Sequence, residues 1–410
     1  AAQLQLPLPE LQKAGVRVET GGHGAQVLDS DLICISPGLP LSIPVLEKAS
    51  AKGIPITGEI EVASWFCRSP IIAVTGSNGK TTTTTLSGEI LKRGIPHTIV
   101  AGNIGQPFAE YVSASTPQGV ALLEISSFQL ETIHGFHPAV AVIMNLTANH
   151  LDRYPDFESY AQAKLNVLKN MTSDDTIIYN KDDLYLVEHL KSCRPKKMVF
   201  SLQPHDQKGV FWENEQIGIR IGGQLERISL PEYQLRGPHN RYNMMVAALL
   251  GRLNNIQADQ ISEEIARFPG IEHRLEIVRE LDDVTYVNDS KATTVDSLAF
   301  ALQSFDEKIV LIAGGKDKGG DFSKIGNLLK EKVKMAILIG QAAKRMRKSW
   351  ESAVALFEVA DLAEAVSLAR KQAEPGMVIL LSPACSSFDM FRDYEDRGRQ
   401  FKKIVEGLAS

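Results

Sequence analysis

Short, nearly unbroken apolar runs recur along this chain. They are Leu32–Ile35, Ile71–Val74, Val120–Leu123, Val140–Met144, Val284–Val287, Ile309–Ala313, Met335–Ile339 and Met377–Leu381. Runs of about 4–6 residues with this character predict strands covered on both faces, because a strand with one wet face alternates apolar and polar residues instead. Longer segments with charged faces separate most of them and predict helices, such as Thr82–Arg93, Ser159–Met171 and Leu362–Gln372. Strand-helix alternation of this kind predicts an α/β fold with doubly wound parallel sheets. Ligands of such sheets bind beyond the carboxyl ends of the strands, so the residues just after each run are the candidates for chemistry. Phe200–Leu235 has another rhythm. Gly218–Ile221 and Arg227–Leu230 flank Gly222-Gly223, which predicts a small antiparallel subsheet.

Composition narrows the class. A length of 410 residues suggests two or three domains, with soft boundaries near Arg68–Pro70 and Pro269–Ile271. A net charge of −5 and a pI near 6.0 argue against a nucleic-acid partner. The four cysteines, Cys34, Cys67, Cys193 and Cys385, lack metal-ligand spacing and read as reduced thiols. No run approaches the roughly 20 apolar residues of a membrane span, and the first ten residues lack the basic and apolar regions of a secretory signal. The expectation is a cytoplasmic protein without membrane insertion.

The strand ends then supply the chemistry. Gly76-Ser77-Asn78-Gly79-Lys80-Thr81 follows the first run of the central region. A glycine-rich turn lets backbone N–H groups face a phosphate, and the helix behind it adds a positive dipole. Lys80 would then reach the β/γ-phosphates and Thr81 a Mg²⁺ ion. The usual spacing wants a glycine where Val74 stands. Glu124 closes the run Val120–Leu123 and suits a hard cation. His150, in Asn145–Pro155, can ligate metal or orient a substrate carboxylate. Lys164, on residue type alone, reads as a solvated helix lysine. In Gly237–Asn243, Asn240 suits an N-cap, and Asn240 with Asn243 can also read an adenine edge. Three further strand ends carry basic or hydroxyl groups among small residues: Asn288–Thr293, Gly314–Gly319 and Ser382–Asp389. Such edges suit a small anionic ligand.

Together, the loop Thr75–Thr81, the string Glu124–Glu131, the His150 segment, His239-Asn240, Glu272-His273-Arg274 and Asn288–Thr293 resemble the Mur ligase family. The likeness runs from about Leu32 to the C-terminus. Ser126–Glu131, Leu151–Pro155 and Ser382–Asp389 resemble the branch that joins D-glutamate to UDP-N-acetylmuramoyl-L-alanine. The resemblance implies three domains. Residues 1–68 form a UDP-substrate-binding α/β domain, here without the family's opening strand, glycine-rich loop and helix. Residues 69–271 form a central ATP-binding domain with a P-loop-type parallel sheet. Residues 272–410 form a Rossmann-like amino-acid domain.

The resemblance also implies roles. Gly76, Ser77, Asn78, Gly79, Lys80, Thr81, Asn240, Asn243, Arg274, Asp289 and Lys291 would bind ATP. Thr81, Glu124, His150 and Lys164 would serve two Mg²⁺ sites, Lys164 as a carbamate. Asn103, Ser126, Gln129 and His150 would face the UDP-substrate. Thr293, Lys318, Ser387 and Phe388 would hold D-glutamate. Lys80, His150 and Lys164 would carry catalysis, in a monomer that makes peptidoglycan precursor. Asn149 stands where the family more often has aspartate. The competing expectations are another Mur ligase, a folylpolyglutamate synthase-like ligase, or a catalytically silent nucleotide-binding regulator.

Overall fold

The computed structural model describes residues 8–147, 153–317 and 319–409. They fall into two compact units. The first holds Ala1–Ser77, Ile95–Ile178 and Glu188–Lys197; the second holds Asn78–Gly94, Tyr179–Val187 and Met198–Ser410. The fold class is α/β with mainly parallel pairing, as the alternation of runs predicts.

In the first unit a small parallel pair, Ile33–Ile35 with Ile56–Gly58, packs on the helix Pro44–Ala51. The main strands lie in the order Thr176–Asn180, Val140–Ile143, Ile71–Thr75, Val120–Glu124, Thr98–Gly102. Ile71–Thr75 pairs in parallel with both Val120–Glu124 and Val140–Ile143. Every residue of Ile71–Thr75 and Val120–Glu124 is buried, which is why these runs are unbroken in the sequence. Parallel pairing brings Gly76, Glu124 and Met144 to one edge.

The second unit contains the helix Lys80–Lys92, which packs on Pro238–Leu253 and Ala258–Arg267. The expected antiparallel subsheet is present as Gly209–Glu213, Gln216–Ile221 and Gln224–Ser229. Its two turns are Asn214-Glu215, with φ of 50° and 56°, and Gly222-Gly223, with φ of 61° and 83°. Paired positive φ angles match the twist of tight hairpins. A six-stranded sheet follows, in the order Glu276–Leu281, Val284–Asn288, Val378–Leu381, Ile309–Gly314, Val333–Ile339, Ala355–Glu358. Only its first pair is antiparallel. Along Ile309–Gly314, Ile309, Leu311 and Ala313 enter one core while Val310 and Ile312 enter another. Both faces are therefore covered, as in a doubly wound sheet. Trp350 fills the first core, and its Nε1 donates to the Phe322 carbonyl at 2.8 Å.

Three local expectations need correcting. The helix expected over Ser159–Met171 spans Phe157–Leu165, because Asp156 caps it by accepting the Ser159 N–H at 2.8 Å; a 3-10 turn, Asn166–Leu168, follows. Asn240 is not an N-cap. Its helix begins at Pro238, whose ring suits the first helical position, after Gly237 at φ 87°. Lys164 is not a solvated lysine: it is 2% exposed. Among the described residues no helix is long and apolar enough to cross a membrane.

Candidate active site

The first unit gathers its candidates at the strand ends. The loop after Ile71–Thr75 starts at Gly76, with φ 140°, where a Cβ would come within 2.9 Å of the Met144 Cβ. Only glycine fits so close to the neighbouring strand end. Ser77 ties the two ends together. Its N–H donates to the Asn145 carbonyl at 2.8 Å, its Oγ donates to the Thr147 carbonyl at 3.0 Å, and the Thr147 N–H donates to that Oγ at 2.9 Å. The Tyr160 hydroxyl lies 3.0 Å from the same Oγ, and burial pushes this phenol up to about 12.

Glu124 is 2% exposed. Its Oε1 accepts from Asn103 Nδ2 at 2.9 Å, whereas Oε2 is buried with no hydrogen-bond partner. A buried carboxylate oxygen left bare costs free energy unless a cation reaches it. This donor fits a hard divalent ion. Lys164 Nζ sits 4.8 Å from the Tyr160 ring centroid. Ser126 and Gln129 form a capping box on the short helix Ser127–Leu130, with the Ser126 N–H donating to Gln129 Oε1 at 2.9 Å and the Gln129 N–H to Ser126 Oγ at 3.3 Å. His150 lies outside the described residues.

The second unit continues the loop with Asn78 and with Gly79, at φ 85°, from which the helix starts at Lys80. A cavity within this unit is lined by Asn78, Gly79, Thr82, Asn240, Asn243, Arg274, Asp289 and Lys291, and by Phe300 and Ser304. Most of the predicted nucleotide residues thus share one cavity. Asn243, 3% exposed, is engaged on both sides. Its Oδ1 accepts from Thr83 Oγ1 at 3.0 Å, and its Nδ2 donates to Asn240 Oδ1 at 2.9 Å. Asn240 Nδ2 in turn donates to the Arg236 carbonyl at 2.8 Å.

Asp289 is buried and doubly held, accepting from Ser382 Oγ at 2.8 Å and the Leu275 N–H at 3.3 Å. Burial pushes its carboxyl up to about 7, against the Ser382 hydrogen bond and the charge of Arg274. Lys291 Nζ lies 5.6 Å from the Tyr394 ring centroid. Of the residues expected to hold an amino acid, Ser387 is buried and Phe388 exposed, and the Thr293 N–H donates to the Lys291 carbonyl at 2.9 Å. Lys318 lies outside the described residues.

One feature of this unit is not legible in the sequence motifs. Arg397, fully buried, donates from Nε to Ser290 Oγ at 2.9 Å and from Nη2 to the Ser290 carbonyl at 2.8 Å. It also reaches the Cys385 carbonyl at 3.2 Å. It therefore braces two of the strand-end loops. Burial pulls the guanidinium down to about 10, which leaves it charged at neutral pH. His239 packs 4.1 Å from the Phe300 ring centroid, and burial lowers it to about 4, so the ring is neutral. A cluster of Glu272, His273 and Glu276 has metal-like spacing, but Lys402 Nζ lies 3.1 Å from Glu272 Oε1 and 2.5 Å from Glu276 Oε1.

Comparison with known proteins accounts for this arrangement. The Mur ligase middle domain matches residues 74–251, and the Mur ligase glutamate ligase domain matches residues 273–385. The chain belongs to the Mur ligase family. Among curated relatives, the UDP-N-acetylmuramoylalanine–D-glutamate ligase of Salinibacter ruber is 42% identical, over 97% of this chain and 89% of its own length. The enzyme of the same name from Koribacter versatilis is also 42% identical, over 100% of this chain and 90% of its own. Among solved structures, the fold resembles that of the MurF ligase from Thermotoga maritima in complex with ADP. The TM-score is 0.65 at 16% identity, covering 89% of this chain and 92% of that one. A pseudomurein peptide ligase type C from Methanothermus fervidus gives a TM-score of 0.64 at 18% identity, covering 98% and 92%.

Proposed function

We infer that this Mur ligase joins D-glutamate to UDP-N-acetylmuramoyl-L-alanine at the expense of ATP, working in the cytoplasm as a monomer. The observation that carries the reading is 42% identity over nearly the whole chain to ligases named for that reaction. The two runs of strand-end chemistry support it. In this reading residues 1–68 serve the UDP-substrate, 69–271 ATP and 272–410 the amino acid.

The reaction is a phosphoryl transfer followed by an acyl transfer. The muramoyl-alanine carboxylate attacks the γ-phosphorus of ATP, ADP leaves, and an acyl phosphate forms. The amine of D-glutamate then attacks the acyl carbon, loses a proton, and inorganic phosphate leaves. Crowded negative charge dominates the first step. The loop of Gly76, Ser77, Asn78 and Gly79 would wrap the phosphates, its Ser77 N–H already given to the Asn145 carbonyl; Lys80 adds a positive charge and starts the helix behind them, and Thr81 stands in its first turn. Asn240, Asn243, Arg274, Asp289 and Lys291 orient the nucleoside side. Mg²⁺ bound at Thr81 and Glu124, and at His150 with Lys164 as a carbamate, would offset phosphate charge. The bare Glu124 Oε2 supports such a site. Carbamylation turns a buried ammonium into an oxygen ligand, which gives Lys164 a reason to be buried. Asn103, Ser126 and Gln129 position the acceptor, and Thr293, Lys318, Ser387 and Phe388 the D-glutamate.

The test is phosphate release from Mg²⁺-ATP with UDP-N-acetylmuramoyl-L-alanine, offering D-glutamate, L-glutamate, L-lysine or meso-diaminopimelate. Release that requires D-glutamate is the expected result. Release driven by another amino acid, or indifferent to acceptor and amine, refutes the assignment.

A further inference from the structure

Arg153, in the sequence string Leu151–Pro155, has a place of its own in the structure. Arginine carries five N–H donors in a planar fork and a face that stacks on aromatic rings. Arg153 uses both properties within the first unit. Nη1 donates to the Pro37 carbonyl at 3.2 Å, and Nη2 donates to the Leu39 carbonyl at 3.4 Å and to Glu131 Oε2 at 3.0 Å. The guanidinium carbon stands 4.2 Å from the centroid of the Phe128 ring. Glu131 is held from its other oxygen by the Tyr154 hydroxyl. Burial pushes that phenol up, so it stays a donor through the working pH range. The Arg153 side chain is 20% exposed and that of Glu131 19%, so the pair is largely shielded from solvent.

Three separate pieces of chain meet here. One is the loop Ser36–Pro40 after the strand Ile33–Ile35. The second is the helix Ser127–Leu130, which carries Gln129 and runs into Glu131. The third is the pair Arg153-Tyr154. The Ile43 N–H donates to the Pro40 carbonyl at 3.4 Å at the far end of the loop. Its backbone makes one internal bond, from the Leu39 N–H to the Ser36 carbonyl at 3.0 Å, and Leu39 packs on a small core. Two carbonyls of this loop accept from one cation that is itself held by Glu131 and stacked on Phe128.

We propose that Arg153 is a positioning residue for the UDP-substrate: it latches the Pro37–Leu39 loop to the strand-end edge on which the acceptor carboxylate must lie. This rests on the assignment of residues 1–68 to that substrate. A latch of this kind sets where one end of a long substrate is held relative to the reacting end. A misplacement of about 1 Å far from the chemistry can cost on the order of 10²-fold. Lysine cannot replace it, having neither a planar fork nor a stacking face.

The experiment compares the wild-type chain with Arg153→Met and Arg153→Lys. It measures kcat, the KM of each of the three substrates, and amide hydrogen exchange across residues 36–42. Arg153→Met is expected to raise the KM for UDP-N-acetylmuramoyl-L-alanine about tenfold or more. The KM values for ATP and D-glutamate should stay within about twofold, and exchange at Leu39 should quicken. Arg153→Lys should fall between, since one ammonium can still meet one carbonyl. Equal losses for all three substrates, or faster exchange without a change in the acceptor KM, overturn the proposal. A wild-type chain that releases no phosphate with these substrates overturns the functional assignment instead.

Discussion

Two buried carboxylates end strands in the two units, and they are solved differently. Asp289 has a protein donor on each oxygen, Ser382 Oγ on one and the Leu275 N–H on the other. Glu124 has one donor, Asn103, and its second oxygen is bare. The first arrangement is complete without a ligand. The second is complete only when a cation arrives. Most buried polar groups are satisfied, and a bare carboxylate oxygen at a strand end next to the glycine-rich loop is one that a cation can complete. Neutralising the two carboxylates should therefore leave different signatures, lost ligand response at Glu124 and an altered pH profile at Asp289.

The largest effect belongs to Glu124. Glu124→Gln keeps the shape and the Asn103 contact but removes the charge. Phosphate release should fall by about 10²-fold or more, as losses of charge-stabilising groups in phosphoryl transfer do. The melting temperature of the ligand-free chain should hold or rise, because removing an unpaired buried charge relieves its desolvation cost. The gain in melting temperature on adding Mg²⁺ and nucleotide should shrink. Activity within threefold of wild type would show that the bare oxygen has no part in catalysis.

Asp289 gives a pH signature. Its carboxyl sits at about 7 in the folded chain against an ordinary 3.8, chiefly through burial. Between those values the folded state keeps a proton that the unfolded state has lost. The stability contributed by the neutral form is therefore full below the unfolded value and is lost as pH rises through about 7. From 3.8 to about 7, that loss is on the order of 4 kcal/mol. Asp289→Asn fixes the neutral form, and the Ser382 hydroxyl can turn to accept from the new amide. Urea melts from pH 4 to 8 should show wild type losing stability relative to the variant steadily from about pH 4 to about 7 and levelling off above that. Parallel curves would mean that Asp289 ionises normally.

How much of this could be read from the residues alone follows from burial. The strands Ile71–Thr75, Val120–Glu124 and Ile309–Gly314 were legible because every residue in them is buried. Ala355–Glu358 was not, since it edges its sheet and leaves most of its side chains wet; Glu276–Leu281 is the other edge and carries charges. The strand-end rule found the loop after Val74 and Asp289 without any contact information. It could not find Arg397, which sits inside the charged helix Tyr394–Glu406 and looks there like any surface arginine. Nor could residue type reveal that Lys164 is buried, because the packing around Phe157–Leu165 comes from distant segments such as Phe128. Polar residues are read wrongly whenever their partners lie far away in sequence.

Asn243 extends the comparison on the satisfied side at smaller scale. Sequence alone offers it to adenine, yet its amide is aimed by Thr83, 160 residues earlier, whose hydroxyl donates to Oδ1 and so turns Nδ2 toward Asn240. Thr83→Val keeps the volume and removes the donor, leaving a buried acceptor bare. The cost should be about 1–2 kcal/mol of stability. The amide then loses its preferred orientation, and the KM for ATP should rise by a few-fold while kcat at saturation is kept. Thr83→Ser restores the hydroxyl and should restore both values. A Thr83→Val chain as stable as wild type, with an unchanged KM for ATP, would show that Asn243 needs no help to hold its orientation, and that the satisfied network is packing rather than alignment.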